Sequence, residues 1–287
     1  MIRDVHHVGI AVRDLEAAYA LYRDALGLRL VKEGEMPSRG VRAAMLAAGG
    51  SSDGPTARLR SVGYLELIQP LDASSPFAKF IEESGEGLHH VALWSDDVDG
   101  DVAKLRECGV ALDDPEPRDG FTGRLSYLAA DAFDGAQLEV VEPEEGLTGD
   151  SRATESRITR IDHVVLRVPH PATISERMAS WFGVETKRTF QRGDMSFAFM
   201  RPGDVVIEVI GPSERPAEPR PGEIAGLCFE CTEIDELAAD LRAKGYPVGE
   251  PHPALQGGRI VSVNQSGACG VPVAFIDFTG SPGPPSR

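Results

Sequence analysis

Two pairs of adjacent histidines open apolar runs: His6 and His7 in VHHVGIAV, and His89 and His90 in GLHHVAL. The chain has seven histidines, so more than half of them stand in these two stretches. Downstream of each pair a glutamate interrupts an apolar run, Glu66 in YLELI and Glu139 in QLEVV. A carboxylate alternating with aliphatic neighbours on a buried strand is costly unless a cation or a metal balances it. Two imidazoles and two carboxylates converging on one place make a divalent metal site.

Strand alternation selects one histidine from each pair. His6 shares a face with Val8, Ile10 and Val12, an aliphatic stripe suited to packing under a helix, whereas His7 shares the other with the small Gly9 and Ala11. In the second run His89 goes with Val91 and Leu93, and His90 goes with Ala92 and Trp94. His7 and His90 are therefore the expected cavity-facing residues. A lone strand histidine is more often a satisfied core residue than a ligand. Recurrence of His and Glu at matching places in successive segments raises the metal reading above that.

The elements that must position these groups repeat four times. HHVGIAVRDLEAAYALYRDALG, HHVALWSDDVDGDVAKLRECG, DHVVLRVPHPATISERMASWFG and AGLCFECTEIDELAADLRAKG each read as an apolar strand, a turn, an amphipathic helix and a terminal glycine. Gly27, Gly109, Gly183 and Gly245 follow His7, His90, His163 and Gly226 by 20, 19, 20 and 19 residues, and suit the left-handed position just past a helix end. Further strands follow each helix. The third segment carries Glu208 in VVIEVI, and in the fourth the 49-residue spacing from His90 to Glu139 runs from Gly226 to Phe275. Three modules thus bear a His and a Glu, and the fourth has neither. PEEGLTGDSRATESR (143–157) reads as a linker between halves, GPSERPAEPRPGE (211–223) as a Pro-rich loop, and GSPGPPSR as a disordered tail.

The whole chain bounds the function. Its 287 residues suffice for one large or two ordinary domains. The formal charge is −16, and residues 1–150 hold 14 Lys+Arg against 28 Asp+Glu. That balance argues against nucleic acid or an anionic membrane as partner. With no run of about 20 apolar residues and no signal-peptide layout at the start, a cytoplasmic protein is expected. Cys228 and Cys231 form CFEC, which reads as a strand without a second pair to complete a zinc site.

The fourfold pattern resembles the vicinal oxygen chelate (glyoxalase/bleomycin resistance/dioxygenase) superfamily, built from βαβββ modules that pair around a metal. Residues 5–142 resemble methylmalonyl-CoA epimerase through HHVGIAVRDLEAA, LELIQPL, SSPFAKFIEESGEGLHHVAL and GAQLEVVE; residues 158–279 resemble the superfamily only. The resemblance implies an α+β chain of four βαβββ modules forming two glyoxalase-fold domains. The first, 1–145, is the metal-binding domain, and the second, 158–280, is degenerate. His7, Glu66, His90 and Glu139 would then occupy the metal-ligand positions. Pairing of modules two and three would instead assemble His90, Glu139, His163 and Glu208; the connector before His89 favours pairing of one with two. In place of the EQGV that epimerases often show, this chain has SRGV from Ser38, and Ala43 stands where some place a carboxylate.

The function expected on this basis is a metal-dependent isomerase or epimerase. It would move a proton alpha to a carbonyl on a small molecule with adjacent oxygens, an acyl-CoA thioester among the candidates. Glu139 is the expected base, with Glu66 second. One divalent ion (Co, Mn, Ni, Zn or Fe) is the expected cofactor, and both monomer and homodimer fit. The alternatives are a glyoxalase-type lyase, an extradiol-type Fe(II) dioxygenase, and a non-catalytic small-molecule-binding or resistance protein. Two carboxylates per site argue against the dioxygenase. Residues 151–287 are expected to be structural or a cap, with His163 and Glu208 as relics. Arg118 and His252 are read as rim-loop residues, His170 as a helix start, and Trp94 as a cavity wall.

Overall fold

The computed structural model describes residues 1–49, 63–147, 156–214 and 216–279. The expected disordered tail, and much of the expected linker, lie outside these residues.

Each repeat folds as the apolar periodicity requires. In the first, β1 (Ile2–Ala11) leads into α1 (Leu15–Tyr19), which continues as a π-helical turn over Ala20–Ala25, then β2 (Arg29–Met36), β3 (Val41–Ala47) and β4 (Tyr64–Pro70). A connecting helix, α2 (Pro76–Ser84), precedes the second repeat: β5 (Gly87–Ser95), α3 (Val98–Glu107), β6 (Arg118–Asp119), β7 (Gly123–Tyr127) and β8 (Gln137–Pro143). The third comprises β9 (Ile158–Arg167), α4 (Pro171–Phe182), β10 (Thr186–Arg192), β11 (Met195–Met200) and β12 (Val206–Pro212). The fourth comprises β13 (Glu223–Cys231), α5 (Ile234–Ala243), β14 (His252–Pro253), β15 (Arg259–Val263) and β16 (Val273–Asp277). Asp14 and Asp97 cap the first two module helices by accepting from the backbone N–H of Glu16 and Gly100, as short acceptor side chains do at helix starts. Gly27, Gly109, Gly183 and Gly245 all adopt positive φ just past the helices, between 70° and 89°.

The strands form two eight-stranded sheets, in the orders β2-β3-β4-β1-β5-β8-β7-β6 and β10-β11-β12-β9-β13-β16-β15-β14. The first contains the strands of the first two repeats and the second those of the last two, in keeping with the expected α+β chain of paired modules. Packing divides the chain into two compact units that cut across this order: residues 1–9, 89–148 and 163–225 in one, and 10–88, 149–162 and 226–287 in the other.

In the first unit α3 covers β7 and β8, α4 covers β11 and β12, and the two helices touch. Val98, Val102 and Leu105 of α3 and Ile174 and Met178 of α4 are buried there. Asp4 ties the start of β1 to the turn before β12, accepting from the N–H of Asp204 (2.8 Å) and of Val205 (3.0 Å). In the second unit α1 and α2 pack on β4 and α5 on β15 and β16, and the buried Tyr22 hydroxyl donates to the carbonyl of Ala268 at 3.2 Å. Cys228 and Cys231 lie on β13 as buried side chains, in agreement with the strand reading of CFEC. Among the described residues no helix is long and apolar enough to cross a membrane.

Candidate metal centre

The register of β5 against β8 sets the first two donors. The strands are parallel, with His90 opposite Gln137 and Ala92 opposite Glu139, so His90 and Glu139 share a face two residues apart. On the far side of β8, Tyr127 of β7 lies opposite Glu139 and meets the His90 ring edge-on, with centroids 5.3 Å apart. His7 of β1 completes the group. Its Nε2 is 3.0 Å from His90 Nε2 and 3.2 Å from Glu139 Oε1, and His90 Nε2 is 3.9 Å from the same oxygen. All three side chains are at most 1% exposed.

These residues fit a divalent metal. Neither oxygen of the buried Glu139 carboxylate has a hydrogen-bond partner, which is rare for a buried polar atom without a further role. The 3.2 Å approach of His7 is thus not an aligned hydrogen bond. Donor atoms held by one ion at about 2.0–2.2 Å stand about 3.0–3.6 Å from one another, close to the spacings of this group. His7, His90 and Glu139 are the group of metal-competent donors that converges among the described residues.

The outer ring nitrogens are also engaged. His7 Nδ1 lies 2.8 Å from His6 Nδ1, and His6 Nε2 lies 2.8 Å from the carbonyl oxygen of Leu147. His90 Nδ1 lies 3.1 Å from His89 Nδ1. The expectation that the first histidine of each pair turns wholly away is corrected here: the rings bend round to meet their neighbours, while His6 stays 1% exposed. Such outer partners fix the tautomer and orientation of a ligating imidazole.

Gly9 makes the close approach possible. A Cβ at this position would overlap the His90 ring at Cε1 and Nδ1. The small residue beside His7, read in the sequence as leaving room for something, leaves room for the second histidine.

Glu66 lies on β4 in the other compact unit, 7% exposed, opposite Met45 of β3. His163 and Glu208 stand 3.6 Å apart on β9 and β12, a pair of their own outside the converging three. The equivalence of Phe275 with Glu139 needs correction. β13 pairs with β16 so that Leu227 is opposite Val273 and Phe229 opposite Phe275; the position diagonal to Gly226, as Glu139 is to His90, is Ala274. Phe275 points to the other face and stacks on Phe229, centroids 6.0 Å apart. Residue counting overlooked a pairing offset one shorter in this module than in the second. The fourth module still offers no donor there.

Arg118 and His252 lie on the two-residue strands β6 and β14 and not in loops. The Arg118 guanidinium is held by Asp114 at 2.7 Å and sits 5.7 Å from the Tyr127 ring centroid. His170 precedes α4, as expected of a helix start, with Nδ1 3.2 Å from Asp134 Oδ2. Trp94 is half-buried, and its ring meets His6 edge-on at 6.0 Å. His6, His89 and Tyr127 were not expected at the site. The doubling of histidine in both repeats was the one signal for the first two.

Three comparisons place these features among known proteins. The family described as "Glyoxalase/Bleomycin resistance protein/Dioxygenase superfamily" matches residues 6–127 and 162–262. An ethylmalonyl-CoA/methylmalonyl-CoA epimerase from Cereibacter sphaeroides is 32% identical over 49% of this chain and 98% of its own length, and the uncharacterized protein YqjC of Bacillus subtilis is 31% identical over 48% of this chain and 91% of its own. A mutant of 4-hydroxymandelate synthase from Streptomyces coelicolor superposes on 98% of this chain and 94% of its own, with a TM-score of 0.71 at 15% identity. That last likeness shows the fold.

Proposed function

The chain belongs to the Glyoxalase/Bleomycin resistance protein/Dioxygenase superfamily, and from that premise we propose that it is a metal-dependent isomerase or epimerase. It transfers a proton at the carbon alpha to a carbonyl, with an acyl-CoA thioester as substrate. The observation that carries this reading is the carboxylate of Glu139, buried beside His7 and His90 with neither oxygen hydrogen-bonded. The epimerase likeness of residues in the first half supplies the substrate class.

In this reading His7 and His90 hold a divalent ion through Nε2 and Glu139 through its carboxylate. Bound there, the ion supplies Lewis-acid stabilisation of negative charge developing on a carbonyl oxygen next to the reacting carbon. Glu139 accepts the alpha proton at a carboxylate oxygen and delivers it to a neighbouring atom; protonation of the same carbon from the opposite face falls to a second acid, for which Glu66 is the candidate. Its buried position keeps bulk water from competing for that proton. Tyr127, edge-on to His90 and opposite Glu139, walls the site on the β7 side. The sequence repeat nominates Glu66 as a further donor and as the second candidate base. Residues 1–145 are the proposed metal-binding domain, and residues 158–280 are the proposed domain without a complete donor set.

The test is exchange at carbon. The metal-loaded protein, incubated in D2O with an acyl-CoA bearing an alpha hydrogen, is expected to incorporate deuterium, read by mass spectrometry, and Glu139→Gln is expected to abolish incorporation. No exchange by the metal-loaded wild type across short branched and dicarboxylic acyl-CoAs would overturn the reading.

A second reading has an observation of its own. The converging group is two histidines and one carboxylate, the donor set of non-haem Fe(II) oxygenases. Oxygen consumption on a catechol-type substrate, supported by Fe(II) alone, would favour that chemistry over proton transfer.

A further inference from the structure

The second sheet carries an open aromatic face that the proposed metal chemistry does not use. Registers define it. Arg188 pairs with Phe199 and Phe190 with Phe197; Phe199 pairs with Glu208 and Phe197 with Ile210; Val206 pairs with His163 and Glu208 with Val165. Directly opposed residues share a face, so Phe190, Phe197, Phe199, Val165, Val206 and Ile210 form one surface across β10-β11-β12-β9. On the other face, Ala198, Met200, Ile207, Val209, Val164 and Leu166 are buried, and α4 packs on β11 and β12.

The aromatic surface is half-exposed throughout. The corresponding face of the first module behaves differently. There Ala43, Met45, Ala47, Tyr64 and Ile68 surround Glu66 and are all at most 2% exposed. The face filled in that module is open in this one.

Three phenylalanine rings on this surface lie nearly parallel. Phe190 stacks on Phe197 at 4.6 Å between centroids and 9° between planes, and on Phe199 at 5.7 Å and 19°. The guanidinium of Arg188 stands 5.4 Å from the Phe190 centroid. Arg192, opposite Met195 at the hairpin end, belongs to the same face. Among the described residues no carboxylate pairs with either arginine, although the chain carries a net charge of −16. Glu208 lies within the face, between Phe199 and Val165, two strands away from Arg188, with His163 3.6 Å from its carboxylate.

We propose that this face binds a small, flat aromatic anion. Its ring extends the phenylalanine stack, and its carboxylate or sulfonate meets Arg188 and Arg192. A parallel ring gains offset stacking as well as apolar burial, and a guanidinium fork suits a planar anionic group. The unpaired arginines select an anion over a neutral hydrocarbon or a second copy of the chain.

The probes are 8-anilinonaphthalene-1-sulfonate and N-phenyl-1-naphthylamine, which share their rings and differ in the sulfonate, titrated into the full chain by fluorescence. The sulfonate is expected to bind at one site. Arg188→Gln is expected to weaken it about tenfold and leave the neutral amine unchanged, whereas Phe197→Leu, which keeps apolar bulk without a ring, is expected to weaken both. Sedimentation velocity on the same samples is expected to give one mass with and without ligand. Equal affinity for the two probes, indifference of the sulfonate to Arg188→Gln, or a dimer that Phe197→Leu dissociates would each overturn the proposal, the last assigning the face to self-association.

Discussion

The Nδ1 atoms of His6 and His7 lie 2.8 Å apart, and His6 Nε2 is 2.8 Å from the carbonyl oxygen of Leu147. A carbonyl only accepts, so His6 Nε2 carries the proton and donates. A neutral His6 then has a bare Nδ1, which accepts from the Nδ1–H of His7. His7 Nε2 is left with its lone pair directed toward His90 and Glu139, the state a metal ligand requires. His6→Ala is accordingly expected to weaken metal binding about 10- to 100-fold, measured by competition with a chromophoric chelator. Unchanged affinity would show that His6 only packs.

Gly9 faces the His90 ring at a separation no side chain can share. Gly9→Ala must push the ring, which is fully buried and has nowhere open to turn. Overpacking of this kind costs about 1–3 kcal/mol of stability, and here the displaced group is a metal donor. The expected result is a folded protein by circular dichroism with sharply reduced metal content; full metal content would refute the close packing of β1 against His90.

Asp4 gives a pH signature independent of the metal. Burial pushes its carboxyl up from 3.8 to about 6, against the opposing effect of hydrogen bonds from Asp204, Val205 and its neighbour Val5. Because the folded state holds this proton more tightly than the unfolded one, the contribution to stability is greatest below about pH 4 and is lost as pH rises to about 6. The shift corresponds to about 3 kcal/mol. Urea unfolding of wild type beside Asp4→Asn, whose single amide oxygen can replace the acceptor for the N–H of Val205 but not also that for Asp204, is expected to show the stability difference moving in the variant's favour by up to that amount between pH 4 and pH 7. Parallel pH profiles would contradict it.

Much of this organisation was legible in the sequence. The four strand-helix units and their terminal glycines followed from apolar periodicity and spacing, because each is a local property of about twenty residues. His7, His90 and Glu139 were legible because alternation on a strand sorts side chains to faces, and those faces persist in the sheet. What the chain did not disclose depends on pairing between strands. The offset of β13 against β16, which makes Ala274 and not Phe275 the counterpart of Glu139, is set by register and cannot be counted along the chain. The meeting of His6 with His7 is equally hidden, since alternation describes where Cβ points and not where a ring turns. The aromatic face required the register of β10 with β11, which aligns three phenylalanines that look unremarkable when read in order.

The most direct test is the metal content of chelator-stripped protein reloaded in turn with Co²⁺, Mn²⁺, Ni²⁺, Zn²⁺ and Fe²⁺, with wild type beside Glu139→Ala, Glu66→Ala and Glu208→Ala. The account predicts close to one ion per chain in wild type, lost in Glu139→Ala, reduced in Glu66→Ala and retained in Glu208→Ala. A wild type that takes up no ion, or a Glu139→Ala variant that keeps its full complement, would contradict a metal centre at His7, His90 and Glu139.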